Sequence, residues 1–148
     1  MKAELLNEHG GLRTFVLVLQ TGDEAMAAIT SFAEERELRA TQFSAIGAFS
    51  RVVVAYFDST GKEYRNITIA EQVEVLSLLG DITLDNGRRK IHAHCVISKA
   101  DATAHGGHLV EGLVRPTLEV VLTETAAHLK RRFDPETGLA LIDPGTRA

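Results

Sequence analysis

The chain has 148 residues, 45% of them hydrophobic and 24% charged, which are the proportions of an ordinary globular protein and allow one domain with its own core. We expect a single domain over 1–148, with an ordered core at about 13–143 and flexible termini. The formal net charge of −4 argues mildly against a domain that binds nucleic acid unaided. The acidic N-terminus, the absence of a long apolar run and a single cysteine predict a cytoplasmic protein without a signal peptide, membrane span or intrachain disulfide.

The first predicted elements are a strand and a helix. Residues 13–20 are rich in β-branched and aromatic side chains, which predicts a strand. Thr21 stands three positions before Glu24, the spacing of a capping box that pairs free backbone N–H groups at a helix start. Apolar residues then recur at helical spacing, so we expect an amphipathic helix over about 23–37.

The rest of the chain has the period of strands. We expect strands at 41–49, 52–57, 63–69, 73–84, 91–97, 109–114 and 118–122, with a break near Pro116. Residues 58–61 and 85–87 have turn chemistry, and Asn86-Gly87 favours the positive φ angles of a tight hairpin. The tail is predicted to hold a short helix over 126–132 and an edge strand over 139–142.

These elements define a fold class. One main helix between the first two of seven or eight strands predicts an α+β fold with a largely antiparallel sheet. One helix cannot cover so many apolar strands, and the sheet has edges to protect. We therefore expect a homo-oligomer.

Two histidines alternate along one predicted strand. His92 and His94 project from the same face because side chains two residues apart in a strand point the same way. His108 begins the next strand and can converge with them. Neutral imidazole is a common metal ligand, and three histidines with an open position are a pattern of catalytic zinc. The alternative interpretation is a structural cluster of hydrogen-bonded histidines.

Three further positions are candidate accessories to this cluster. Gly106 and Gly107 allow either a tight turn or the close approach of a ligand or another chain. Glu119 is a carboxylate among apolar residues and needs a partner. It would either orient a ligating histidine through the other ring nitrogen or form an ion pair with Arg51 or Arg115.

Other chemistry is not indicated by the sequence. It contains no nucleophile elbow, phosphate-binding loop or dinucleotide fingerprint, so an enzyme built on this chain would need metal-assisted chemistry. The basic runs at 88–90 and 130–132 are interpreted as solvated surface rather than a nucleic-acid patch. Cys95 points away from the histidines and is predicted to be a core thiol.

An ordered set of short motifs resembles a known family. Leu-Gly-Asp-Ile at 79–82, His-Ala-His at 92–94, Gly-Gly-His-Leu at 106–109 and Thr-Leu-Glu-Val-Val-Leu at 117–122 together resemble the plants and prokaryotes conserved (PPC) domain. Gly-Asp-Glu at 22–24 and Ser-Ala-Ile-Gly-Ala at 44–48 agree with it, so the resemblance covers about 13–143. It implies an α+β fold and a homotrimer. The AT-hook motif, with its Gly-Arg-Pro core, that accompanies the domain in plants is absent from this sequence.

The resemblance also implies a metal site at His92, His94 and His108, with zinc or another divalent transition metal as the cofactor. Our first hypothesis is a small oligomeric binding or regulatory module with a possible small-molecule ligand. The alternatives are a metal-dependent hydrolase or lyase of unknown substrate, and a DNA-associated protein by family analogy.

Overall fold

A computed structural model describes residues 1–145. These residues form nine strands and one helix, which in chain order are β1 (Lys2–His9), β2 (Leu12–Gln20), α1 (Ala25–Glu35), β3 (Thr41–Asp58), β4 (Glu63–Ile69), β5 (Val73–Asp85), β6 (Arg88–Ser98), β7 (Ala104–Glu124), β8 (Lys130–Asp134) and β9 (Leu139–Asp143). The strand pairs are antiparallel except for one parallel pairing of β5 with β8, so the sheet is mixed but mainly antiparallel. The predicted α+β class is confirmed.

Two predicted breaks between strands are absent. The predicted strands at 41–49 and 52–57 are one strand, β3, and those at 109–114 and 118–122 are one strand, β7. β7 continues through Pro116, whose peptide bond with Arg115 is cis. The β3–β7 register shifts at three places, and such irregularities bend a long strand without ending it.

The two ends of the chain also differ from the prediction. Residues expected to be flexible at the N-terminus form β1, so the helix lies between the second and third strands rather than the first two. The helix predicted over 126–132 is wrong, because Lys130–Asp134 is β8 and pairs with the correctly predicted edge strand β9. A helix of two turns is marginal alone, whereas a hairpin satisfies its backbone groups across the turn. The flexibility predicted for residues 146–148 lies outside the described residues.

The N-cap of α1 is Glu24 rather than Thr21, the cap in the predicted capping box. The Glu24 carboxylate accepts hydrogen bonds from two backbone N–H groups of the first turn, at 3.1 and 2.7 Å. It also accepts one from the backbone N–H of Gly112 on β7, at 2.9 Å. The Thr21 hydroxyl instead donates to the carbonyl of Pro116. One carboxylate therefore caps the helix and ties it to the sheet.

The core lies between α1 and one face of the sheet. Phe32 of α1 packs edge-on against Phe15 of β2, with ring centroids 5.3 Å apart. The opposite face of β3, β5 and β7 is exposed and carries large apolar side chains, namely Ile46, Leu76, Leu79 and Val121. α1 is the only helix of residues 1–145, and its 11 residues are too few to cross a membrane.

The topology brings distant segments together at one end of the sheet. β3 pairs with β5, β5 with β6, β6 with β7, and β7 again with β3, so these four strands form a closed circuit. The first residues of β7 therefore lie against β6, whereas its later residues pair with β2 and the first half of β3. This bend places the start of β7 beside the histidines of β6.

Candidate metal centre

The three predicted histidines lie together on the outer face of β6 and β7. His94 and His108 are direct partners in the β6–β7 register, and His92 is two residues before His94. Their ring centroids are 5.0 to 5.3 Å apart. Ala93 and Cys95, which alternate with them on β6, are buried in the core. The two-residue period of the strand therefore places the imidazoles on the outer face and the thiol in the core, as predicted.

The donor atoms of the three rings converge. One ligand atom from each histidine lies within 4.8 Å of the others. The Nε2 atoms of His92 and His94 are 3.1 Å apart. Two nitrogens bound to one tetrahedral zinc at about 2.0–2.1 Å are separated by about 3.4 Å, so this spacing suits a shared ion. Three imidazoles would leave the fourth tetrahedral position open.

The electrostatics of the cluster favour the neutral form of His94 and His108. Burial, together with the charges of His92, His94 and Lys90, lowers the pKa of His108 to about 4. Burial and the neighbouring His92 also lower the pKa of His94. Nδ1 of His108 is buried without a hydrogen-bond partner among the described residues. Neutral rings with an unsatisfied nitrogen are suited to accept a metal ion.

Asp81 on β5 is a carboxylate paired with one of the three histidines. It is the direct cross-strand partner of His92, and its Oδ2 lies 3.7 Å from Nδ1 of that ring. A carboxylate beside Nδ1 favours the tautomer that carries its proton there and leaves Nε2 free. Nε2 of His92 is the atom that faces His94, so this pairing prepares the ring to bind a metal.

Arg131 holds Asp81 from the other side. Its Nη2 donates to Oδ1 of Asp81 at 2.6 Å, its Nε to the Thr83 hydroxyl at 2.7 Å and its Nη1 to the Ala140 carbonyl at 2.9 Å. Burial would raise the pKa of Asp81, but the contacts with His92 and Arg131 outweigh it and leave that pKa below its usual value. The Arg131 side chain is only 6% exposed, so it fastens the β8–β9 hairpin to β5.

The two glycines before His108 permit close packing of strands. Gly106 and Gly107 lie within β7, so the tight-turn interpretation is wrong. A Cβ on Gly106 would lie 2.6 Å from the carbonyl oxygen of Cys95, and one on Gly107 would lie 2.8 Å from that of Ala55. Side chains at these positions would push β7 away from β6 and β3. The glycines therefore act on the cluster through the position of His108.

Glu119 does not lie at the histidine cluster in this chain. It is eleven positions beyond His108 on β7 and pairs with Val18 of β2 and Ile46 of β3. At about 3.3 Å per residue, the separation along the strand is roughly 36 Å. The proposed Arg51 partner forms its ion pair with Glu111 instead.

Sequence reasoning missed Asp81, although a usable signal was present. The predicted two-residue turn at 86–87 is correct, with φ values of 50° and 78°. Counting outward from that turn pairs Asp85 with Arg88 and continues to Asp81 opposite His92. The hairpin register alone therefore pointed to this carboxylate.

The fold and this site define the class of the protein: an α+β chain with an outward-facing cluster of three histidines on its sheet. The sequence profile of the Plants and Prokaryotes Conserved (PCC) domain matches residues 6–126. The chain belongs to this family. Among curated proteins, none matches the sequence.

Solved structures share the fold over almost the whole chain. A protein from Bacteroides thetaiotaomicron, described provisionally as DNA-binding, has a TM-score of 0.87 and 23% identity, with 95% of this chain and 96% of that one covered. A metal-containing protein from Archaeoglobus fulgidus has a TM-score of 0.82 and 34% identity, with 88% and 92% covered. A plant- and prokaryote-conserved protein from Pyrococcus horikoshii has a TM-score of 0.84 and 27% identity, with 98% and 96% covered.

Proposed function

We propose that this chain is a cytoplasmic, homo-oligomeric binding or regulatory module that holds zinc or another divalent transition metal at His92, His94 and His108. The observation that carries the proposal is the convergence of three imidazoles from two adjacent strands. The Archaeoglobus relative, 34% identical, is described as metal-containing, which supports a metal in this family. Asp81 would orient His92 toward the ion, and Arg131 would hold Asp81.

We further propose that the oligomer is a homotrimer that buries the exposed apolar face. Ile46, Leu76 and Leu79 on this face are 54 to 61% exposed, and Val121 is 45% exposed. A contiguous apolar surface of this kind is typical of an interaction site. Leu79 is the cross-strand partner of His94, so the face extends to the histidines. The metal would then lie at or near a subunit boundary.

A metal-dependent hydrolase or lyase is the second candidate function. The observation that favours it is the open fourth position that a three-histidine site leaves on a tetrahedral ion. An ion with an open position can polarise a carbonyl group or lower the pKa of a bound water. The chain's own residues would hold the ion and position His92.

DNA association is the third candidate, and the structure gives it little support. Within the basic runs, Arg89 donates to the carbonyl of Leu38, Lys90 pairs with Asp85, and Arg131 is buried on Asp81. These cations are engaged within the protein, and the net charge is −4. Salt-sensitive binding of duplex DNA by the purified protein would support this candidate, and no binding at low salt would remove it.

The primary experiment is elemental analysis of the native, untagged protein after extensive dialysis, with sedimentation to determine the oligomer. We expect near-stoichiometric transition metal in the native protein and little in His94→Ala. His105→Ala is the matched control, because His105 is an exposed histidine of β7 outside the cluster, and it should keep the metal. A native protein that assembles normally, and stays metal-free when zinc is supplied, would contradict the proposal.

A further inference from the structure

A small cavity adjoins the histidine cluster. Its volume is about 160 Å³. Its lining includes His92 and His108, here called its floor, together with Tyr64 of β4 and with Leu139 and Leu141 of β9. The Tyr64 ring lies over His108, with centroids 4.8 Å apart. An ion held by the histidines would therefore border this half-open cavity.

The β9 wall of this cavity lies beyond the residues that match the family profile, which end at 126. The β8–β9 hairpin begins at Lys130 and is fixed by the buried Arg131. The same arginine contacts Asp81, which pairs with His92. The hairpin thus both closes the cavity and supports the site, so it is suited to set which ligand the cavity accepts.

The charge of the cavity favours an anion. Lys90 lines it, and none of the described lining residues is acidic. Arg131 also lines the cavity, and the two cations are paired with Asp85 and Asp81, which do not line it, so most of the attraction for an anion would come from the metal. A bound divalent ion would add two positive charges to the floor. A ligand with one negatively charged group directed at the floor would be stabilised there.

The size and the remaining walls favour a small, partly apolar molecule. About 160 Å³ is well below the roughly 300–1,000 Å³ of sites that bind drug-sized ligands. Leu139, Leu141 and Ile91 offer apolar surface, and Tyr64 offers an aromatic face. A short hydrocarbon chain would gain by leaving water for these walls.

From these observations we propose that the cavity binds a short-chain carboxylate. The carboxylate group would occupy the open metal position, and the alkyl chain would pack against Leu139, Leu141 and Tyr64. This proposal rests on the metal centre proposed above.

The test uses the full-length protein loaded with cobalt(II), whose visible spectrum reports changes in coordination. Acetate, propionate and butyrate are each titrated, with inorganic phosphate as a second anion. We expect saturable spectral changes whose affinity rises from acetate to butyrate, by up to about fourfold for each buried methylene. Phosphate, which lacks an apolar chain, should bind more weakly than butyrate.

Two variants separate the charge from the apolar wall. With both proteins fully loaded with cobalt, Lys90→Gln should weaken butyrate binding by about two- to fivefold, and Lys2→Gln, on the distant β1, should have no effect. Leu139→Ala should flatten the dependence on chain length without preventing acetate binding. These readouts do not depend on any catalytic activity.

Each other result overturns the proposal in a distinguishable way. Cobalt uptake without any response to carboxylates would refute the ligand proposal and leave the metal centre standing. Phosphate binding as tight as butyrate binding, with no effect of chain length, would show that charge alone is recognised and would also refute it. Failure to take up cobalt would overturn both the metal centre and the ligand that depends on it.

Discussion

His94 and His108 are direct cross-strand partners, although a loop and the ends of two strands separate them in the sequence. Their ring centroids are 5.3 Å apart, with the ring planes nearly perpendicular. Facing residues on adjacent strands have side chains within contact distance, so this register alone brings two of the three candidate ligands together. His92 joins them through the alternation of a single strand. The metal centre thus depends on one strand pairing and one strand period.

The first prediction concerns the carboxylate beside His92. Asp81→Asn keeps the size of the side chain but removes the charge that favours a proton on Nδ1 of His92. We expect metal affinity to fall by about 10- to 100-fold, as is typical when the partner of a ligating histidine is lost. Competition with a chromophoric chelator measures the metal affinity. Glu119→Gln is the control and should leave the metal affinity unchanged. A loss of metal affinity in Glu119→Gln but not in Asp81→Asn would contradict the prediction and show that Glu119 supports the site across a subunit boundary.

The second prediction concerns the close approach at Gly107. Gly107→Ala would place a Cβ 2.8 Å from the carbonyl oxygen of Ala55 and displace β7. We expect a loss of about 1–3 kcal/mol in the free energy of unfolding and weaker metal binding, because His108 moves with the strand. Urea denaturation and chelator competition measure the two effects. Gly61→Ala is the matched control, since a Cβ there meets only the flexible Glu63 side chain at 3.4 Å. Equal stability of the two variants would contradict the prediction.

The third prediction is a pH dependence of the metal-free protein. The pKa of His108 is lowered to about 4 in the folded state, below the value of about 6.5 expected when unfolded. Between these values the unfolded state binds more protons, so the free energy of unfolding falls as the pH drops from about 6.5 toward 4. Urea denaturation across this range measures it. His108→Gln should have a shallower dependence, whereas His9→Gln, on the exposed β1, should match the native protein. An identical pH dependence in all three proteins would refute the assignment to His108.

The fourth prediction concerns the thiol on the opposite face of β6. Cys95 is 3% exposed, and burial raises its pKa to about 11. Iodoacetamide should therefore label the folded protein very slowly at pH 8 and the urea-unfolded protein readily, because the thiolate is the reactive form. Cys95→Ala should keep its full metal content because the side chain points away from the histidines. Rapid labelling of the folded protein, or loss of metal in the variant, would contradict this placement.

Adding a metal should also stabilise the protein, and this is the fifth prediction. An ion that binds only the folded state adds about 2.7 kcal/mol to the free energy of unfolding at one hundred times its Kd. We expect zinc to raise the Tm of the metal-free protein by several degrees, and EDTA to reverse the change. His94→Ala should show no such rise. An equal rise in the native protein and the variant would place the stabilising ion elsewhere.

Several features of the site followed from the sequence because they depend only on neighbouring residues. The outward direction of His92 and His94 and the inward direction of Cys95 follow from the two-residue period of a strand. The hairpin between β5 and β6 follows from Asn86-Gly87, which takes positive φ at both positions. Motif order also identified the family correctly.

Other features were decided by contacts between distant segments. Pro116 is a strong local signal to end a strand, yet β7 passes through it while paired with β2 and β3. Residues 130–134 have no local reason to be extended until β9 pairs with them. The β8–β9 hairpin places Arg131 beside Asp81 and Leu139 at the cavity.

The sequence by itself therefore determined which residues face the core, where the tight turn lies and which histidines project outward, because periodicity and turn preference are local properties. Only the tertiary structure decided that His108 meets His94, that Glu119 lies away from the histidines, and that a C-terminal hairpin walls the adjoining cavity. Those outcomes depend on strand register and on pairings between segments far apart in the chain, which local periodicity and turn preference do not determine.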